Sequence, residues 1–205
     1  MSELTSYTTI ARAFHHEPAK VKGSRFLADL TPVLDEAGAQ AAIAAARAAS
    51  PGASHHCYAW ILDPAGRETR AFDDGEPGGS AGLPILRQLE GHGISGAVCV
   101  VARYFGGTKL GVGGLMRAYG GAAGEAIDRA ELVSVRIQRR AVIEYPYEVS
   151  GPVEGLLAAV EARTEAAEYG AGVRLELVLP LDRFQEFQVE LAERTAGRAV
   201  LLPHR

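Results

Sequence analysis

Cysteine is scarce: Cys57 and Cys99 are the only two in 205 residues, which excludes a disulfide framework. Each sits in an apolar run, where a small thiol packs much as alanine or valine would. No run of eighteen apolar residues occurs, so the sequence offers no membrane-spanning helix. The first fourteen residues lack the basic start and apolar core of a secretory signal, which makes the cytoplasm the expected compartment. A broad basic excess is missing too. The net charge of -4 argues against sequence-independent nucleic-acid binding over the whole surface, while leaving room for a local basic site. No internal repeat and no low-complexity tail are found. His55-His56-Cys57 has no second His or Cys pair at zinc spacing, so it reads as a strand with a buried Cys57. Ser24 and Ser80 lack the setting of a nucleophile, and no catalytic residue is assigned.

What is present is an ordinary globular composition, 47% hydrophobic and 22% charged, with enough chain for two cores. Residues 1–16 have no sustained period and read as a loose arm or short edge strand. A strand follows at 25–32, then an alanine-rich helix over 34–49, stopped by Ser50-Pro51-Gly52. Residues 55–62 and 68–72 form a hairpin around the turn chemistry of Asp63-Pro64-Ala65-Gly66. A helix over 83–90 takes Pro84 in its first turn. Residues 97–102 suit a buried strand, and a helix from about Leu115 to Ala130 follows a glycine loop. Beyond it glycine thins out and residues 133–149 alternate apolar with polar, which places a boundary near 133–138. The two expected domains are 1–133 and 139–205. The second reads as a strand (140–149), a helix (152–163), a hairpin turning at 170–172, a helix (181–195) and a strand (198–202). That β-α-β-β-α-β order is the ferredoxin-like arrangement, and the fold class is α+β.

Two loops stand out. In the first, Arg103-Tyr104-Phe105-Gly106-Gly107-Thr108-Lys109-Leu110-Gly111, glycines free backbone N–H groups ahead of a helix start, a setting that suits an anion. Seven glycines lie between Gly106 and Gly121, and no acid lies between Glu90 and Glu125 to neutralise Arg103, Lys109 and Arg117 locally. Neither standard nucleotide motif is met: Lys109 is not followed by Ser or Thr, and Gly111-Val112-Gly113 would need a glycine where Met116 stands. The plain alternative is that the glycines serve strand-to-helix packing. Against it, Tyr104, Phe105 and Tyr119 lie among the cations as exposed-type aromatics. The second loop, Asp73 to Gly82, carries three carboxylates in four residues, Asp73, Asp74 and Glu76. These could hold Mg²⁺, act as acid or base, or lie as a solvated turn. They could also pair with Arg103, Lys109 or Arg117 if the two loops lie side by side.

The two loops, together with His55-His56-Cys57-Tyr58 and Ser24-Arg25-Phe26, resemble the YigZ/Impact family, with the match running from Glu17 to about Ala130. Residues from Arg139 onward resemble the C-terminal domain of its bacterial YigZ branch. The resemblance implies a first domain like domain 2 of ribosomal protein S5 and a second like domain V of elongation factor G. The eukaryotic relative, Impact, regulates translation initiation under amino-acid stress, through partners that a bacterial protein would not meet. It also carries a further N-terminal domain with no counterpart in these residues, so that mechanism is not transferred. The resemblance supplies no catalytic residue, metal or cofactor.

The leading expectation is a non-enzymatic protein acting near translation, with RNA or the ribosome as partner and no membrane. Arg103, Gly106, Gly107, Lys109, Gly111 and Arg117 would bind anion or nucleic acid, with Asp73, Asp74, Glu76, Tyr104 and Phe105 as accessories. Two alternatives are an enzyme acting on a small phosphorylated or nucleotide substrate and a protein-protein adaptor.

Overall fold

The computed structural model describes residues 4–202, so the outermost ends of the two expected domains, 1–3 and 203–205, lie outside it. The chain divides into two compact units: Tyr7–Val135, and residues 4–6 with 136–202.

The first stretch of chain runs β1 (Ser6–Ile10), β2 (Phe14–His16), β3 (Arg25–Pro32), α1 (Glu36–Ala49), β4 (His55–Ile61), β5 (Thr69–Phe72), α2 (Gly82–Gly91), β6 (Ala97–Tyr104), α3 (Val112–Arg129) and β7 (Leu132–Arg136). Strands β2-β3-β6-β4-β5, in that order, make a five-stranded antiparallel sheet, while β1 pairs with β7 in a separate ribbon. The apolar run of β6 lacks alternation because both of its faces are covered. Cys99 and Val101 point toward α2 and α3, with Phe26, Ile85, Leu89 and Tyr119, whereas Val98 and Val100 point toward α1 with Ile43, Tyr58 and Trp60.

Helix α1 starts at Glu36 rather than at 34, because the Asp35 carboxylate accepts the Gly38 N–H at 2.7 Å and caps it. Helix α3 starts earlier than expected. Gly113 and Gly114 read as loop on propensity, yet both lie inside its first turn, behind an N-cap at Gly111 with φ of 71°.

The second unit contains β8 (Gln138–Tyr145), α4 (Ser150–Ala159), β9 (Arg163–Tyr169), β10 (Val173–Pro180), α5 (Phe184–Thr195) and β11 (Val200–Leu202). Its antiparallel sheet has the order β11-β8-β10-β9. This is the expected ferredoxin-like order, in an α+β protein. Ile143 and Leu177 on one face of the sheet pack with Leu156 of α4 and with Phe187 and Leu191 of α5 in a core of their own. The extended segment expected over 140–149 stops at Tyr145, because Pro146 offers no N–H and residues Tyr147–Val149 coil into a 3₁₀ turn.

Candidate functional site

The acidic loop is held in place by its own carboxylates. Asp73 accepts N–H groups from Gly79 (2.8 Å), Ala81 (2.9 Å) and Gly82 (2.8 Å), so it caps α2 from nine residues upstream of the first helical residue. Burial would raise its pKa, but the three backbone donors outweigh burial and hold it below the usual carboxylate value. Asp74, in the left-handed region at φ of 45°, accepts the His56 N–H at 2.7 Å and the Arg47 guanidinium at 2.8 Å. Burial raises its pKa and these donors lower it further, for a net depression. Each of the four oxygens of this pair already accepts a hydrogen bond from the protein, so both carboxylates serve the loop's own frame.

Glu76 turns inward, with 5% of its side chain exposed. Its Oε1 accepts from Arg103 Nη1 at 2.6 Å and from the Tyr119 hydroxyl at 2.8 Å, with His55 Nε2 3.9 Å away. The two loops therefore do lie side by side, joined by a buried ion pair. This corrects the view of Arg103 as a cation without local neutralisation: its partner comes from the other loop, 27 residues earlier. Tyr119 is likewise not an exposed aromatic but fully buried, edge-on to Phe26 at 5.1 Å. Its spacing on α3 with Leu115, Ala122 and Ala126 carried that signal. Burial, with Cys57 and Glu76 nearby, pushes the Tyr119 hydroxyl pKa far up, and burial pushes the Cys57 thiol up to about 12. A thiol held neutral in this way is no nucleophile. Instead Cys57 Sγ donates to the Asp73 carbonyl at 3.0 Å.

The glycine loop divides into two parts. Gly106 is a packing position: its N–H donates to the buried Ser24 Oγ at 3.2 Å, and a Cβ there would lie 2.0 Å from the Gly23 carbonyl carbon. Its amide is thus unavailable to an anion, and the role of Ser24 behind the loop carried no signal in the sequence. Gly107 and Gly111, both with positive φ, meet nothing within 4 Å at the Cβ position and are exposed. Behind Gly111 the eighteen-residue α3 begins with no capping side chain and no acid in its first turn. Lys109 and Arg117 are exposed beside that start, and neither has a salt-bridge partner among the described residues. The Arg117 guanidinium folds back toward the first turn, with Nη1 3.7 Å from the Cβ position of Gly113. Phe105 is 52% exposed, while Tyr104 is half-buried with the Arg25 guanidinium 5.2 Å from its ring centre.

Two cavities open on either side of Leu110. One, of about 370 Å³, is lined by Glu76, Pro77, Arg103, Phe105, Lys109 and Leu115 among others; the second, of about 190 Å³, is lined by Lys22, Gly114 and Arg117 among others. A larger groove of about 610 Å³ lies in the second unit, where Arg174 is already paired with Glu144 at 2.6 Å. Among the described residues, no helix is long and apolar enough to cross a membrane.

Comparison with known proteins places these features in a wider setting. The pattern of the Impact N-terminal domain matches residues 22–127, and that of a domain of unknown function, DUF1949, matches residues 143–198. The chain is 35% identical to the IMPACT family member YigZ of Escherichia coli over 185 residues, covering 89% of this chain and 91% of that protein. It is 32% identical to the IMPACT family member YvyE of Bacillus subtilis over 196 residues, covering 96% and 90%. A crystal structure of a hypothetical protein, 32% identical, superposes with a TM-score of 0.76 over 99% of both chains.

Proposed function

The chain belongs to the Impact family, and from that premise we propose that it is a non-enzymatic binding protein that takes RNA at the start of α3, in the setting of translation or its regulation. One observation carries this reading. The first-turn amides of an eighteen-residue helix meet no capping side chain and no acid, while Lys109 and Arg117 flank them without salt-bridge partners among the described residues. Backbone N–H groups at a helix start and two free cations favour phosphate oxygens, and a half-exposed Phe105 beside them offers a stacking surface. Arg103 contributes from behind as part of the loop's frame rather than as a phosphate contact, since Glu76 already neutralises it.

The test is fluorescence anisotropy with a labelled single-stranded RNA across a salt series. Lys109→Ala and Arg117→Ala should each weaken binding and reduce the log-log salt slope by about 0.7, the value for one phosphate contact on a single strand. Binding that ignores salt and both substitutions would overturn the reading.

The cavity of about 370 Å³ favours a second reading, a small phosphorylated or nucleotide ligand, since it is of a size for one such molecule. A ligand bound only by the folded protein raises its melting temperature, so a thermal-shift series with nucleotides and Mg²⁺ addresses this reading directly.

A further inference from the structure

The smaller of the two cavities beside Leu110, of about 190 Å³, is lined by Val21, Lys22, Leu110, Gly114, Arg117 and Ala118, with no acid among them. Two cations thus meet in it from distant parts of the chain. Lys22, like Arg117, is exposed and has no salt-bridge partner among the described residues. It stands there at a conformational cost. Val21 and Ser24 exchange both backbone hydrogen bonds, at 2.9 and 3.0 Å, which leaves Lys22 and Gly23 as a two-residue hairpin loop. Both have positive φ, 47° and 83°. A loop of this kind favours Asn-Gly or Gly-Gly, since a long side chain at positive φ is strained. The loop is also pinned: the Ser24 Oγ accepts the Gly106 N–H, and the Gly23 carbonyl carbon lies 2.0 Å from where a Cβ on Gly106 would be. A lysine where asparagine suits the backbone better, fixed against the glycine loop and beside a second unpaired cation, supplies a charge that the turn itself does not need.

We infer that Lys22 is a further binding residue, and that with Arg117 it holds a phosphate of the bound strand in this smaller cavity; the inference rests on the RNA reading above. Leu110 lines both cavities, so one side chain separates them. The strand passes over Leu110, with one phosphate at Lys109 and the start of α3 and a neighbouring one between Lys22 and Arg117. Two like charges in an acid-free recess repel each other until an anion lies between them, and a phosphate has oxygens enough for both donors.

The experiment is anisotropy of a labelled single-stranded RNA with Lys22→Asn, which removes the charge and suits the turn. The variant should melt no lower than the parent protein. It should bind about fivefold more weakly at ~0.1 M salt and lower the log-log salt slope by about 0.7, as the loss of one phosphate contact does. Lys22→Gly, equally free of strain, should show the same loss, and Lys22→Arg should keep the parent affinity. In the double variant with Arg117→Ala the loss should be smaller than the sum of the two, because both cations hold one phosphate. Lys20→Asn is the control: Lys20 is exposed and lies outside the cavity, so its loss should change affinity by less than about twofold. Lys22→Asn that loses no more than Lys20→Asn, while Lys109→Ala and Arg117→Ala still weaken binding, overturns the second phosphate site and keeps the RNA reading. Pyrophosphate that binds at least as tightly as the strand, and about fivefold more weakly to Lys22→Asn, supports the site and identifies a free phosphate, rather than RNA, as its source. No binding of either RNA or pyrophosphate overturns both.

Discussion

Glu76 is the residue on which the frame of the site converges, since it joins the acidic loop to the end of β6 and to the inner face of α3. Truncating it leaves the buried Arg103 charge without its partner, and Glu76→Ala should cost about 3–5 kcal/mol in chemical denaturation. Tyr119→Phe is a milder probe, expected to cost about 1 kcal/mol, because Oε1 keeps its bond from Arg103. Asp73 and Asp74 set the pH response of the same frame. Their folded pKa values lie below the ordinary carboxylate value of about 3.9. Their contribution is therefore complete above that value and is lost as pH falls through the lower folded ones. Asp73→Asn should lower the melting temperature at pH 7, and the gap to the parent protein should close as the medium is acidified below pH ~3.9. A gap that does not narrow at all as the pH falls below that value would show that the cap does not depend on the charge of Asp73.

Among elements, the glycine loop and α3 separate what packing requires from what is open to a ligand. Gly106→Ala pushes a methyl group into the Gly23–Ser24 backbone, which cannot yield as a side chain can, and should destabilise the protein by about 2–4 kcal/mol. Gly107 has an open Cβ position, so Gly107→Ala carries only the cost of its positive φ, about 1 kcal/mol, read in the same denaturation series. The apolar runs made the strands legible, β6 above all, and turn chemistry revealed the β4–β5 and β9–β10 hairpins. The pairing of acidic with basic loop was also legible, as one option among several, from charge alone. The start of α3 was not, because propensity counts Gly113 and Gly114 against helix, whereas the burial of Leu115, Tyr119 and Ala122 sets the register. Nor was the choice among the glycines, since the approach of Gly23 to Gly106 spans 83 residues and leaves no local pattern.

For the molecule as a whole, the cores of the two units share no residue, which carries the expectation that each unit answers first to damage within it. Phe187 is fully buried in the second core, so Phe187→Ala should cost about 3–5 kcal/mol there. Hydrogen exchange should speed up in residues 136–202 more than in Tyr7–Val135; an equal loss of protection would make the two one cooperative body. The net charge of -4 adds a second whole-chain constraint, because only a local site can attract an anionic strand against it.

Strand β6 has a consequence for kinetics. It is covered on both faces along its length and delivers Arg103 at its end, with the guanidinium 5.8 Å from the Phe26 ring centre and 5.5 Å from that of Phe105. A group fixed in this way needs no rearrangement when a ligand arrives, so encounter should proceed at a rate set by diffusion and charge. Differences between ligands, and between variants at the rim of the cavity, should then appear almost wholly in how long the complex lasts.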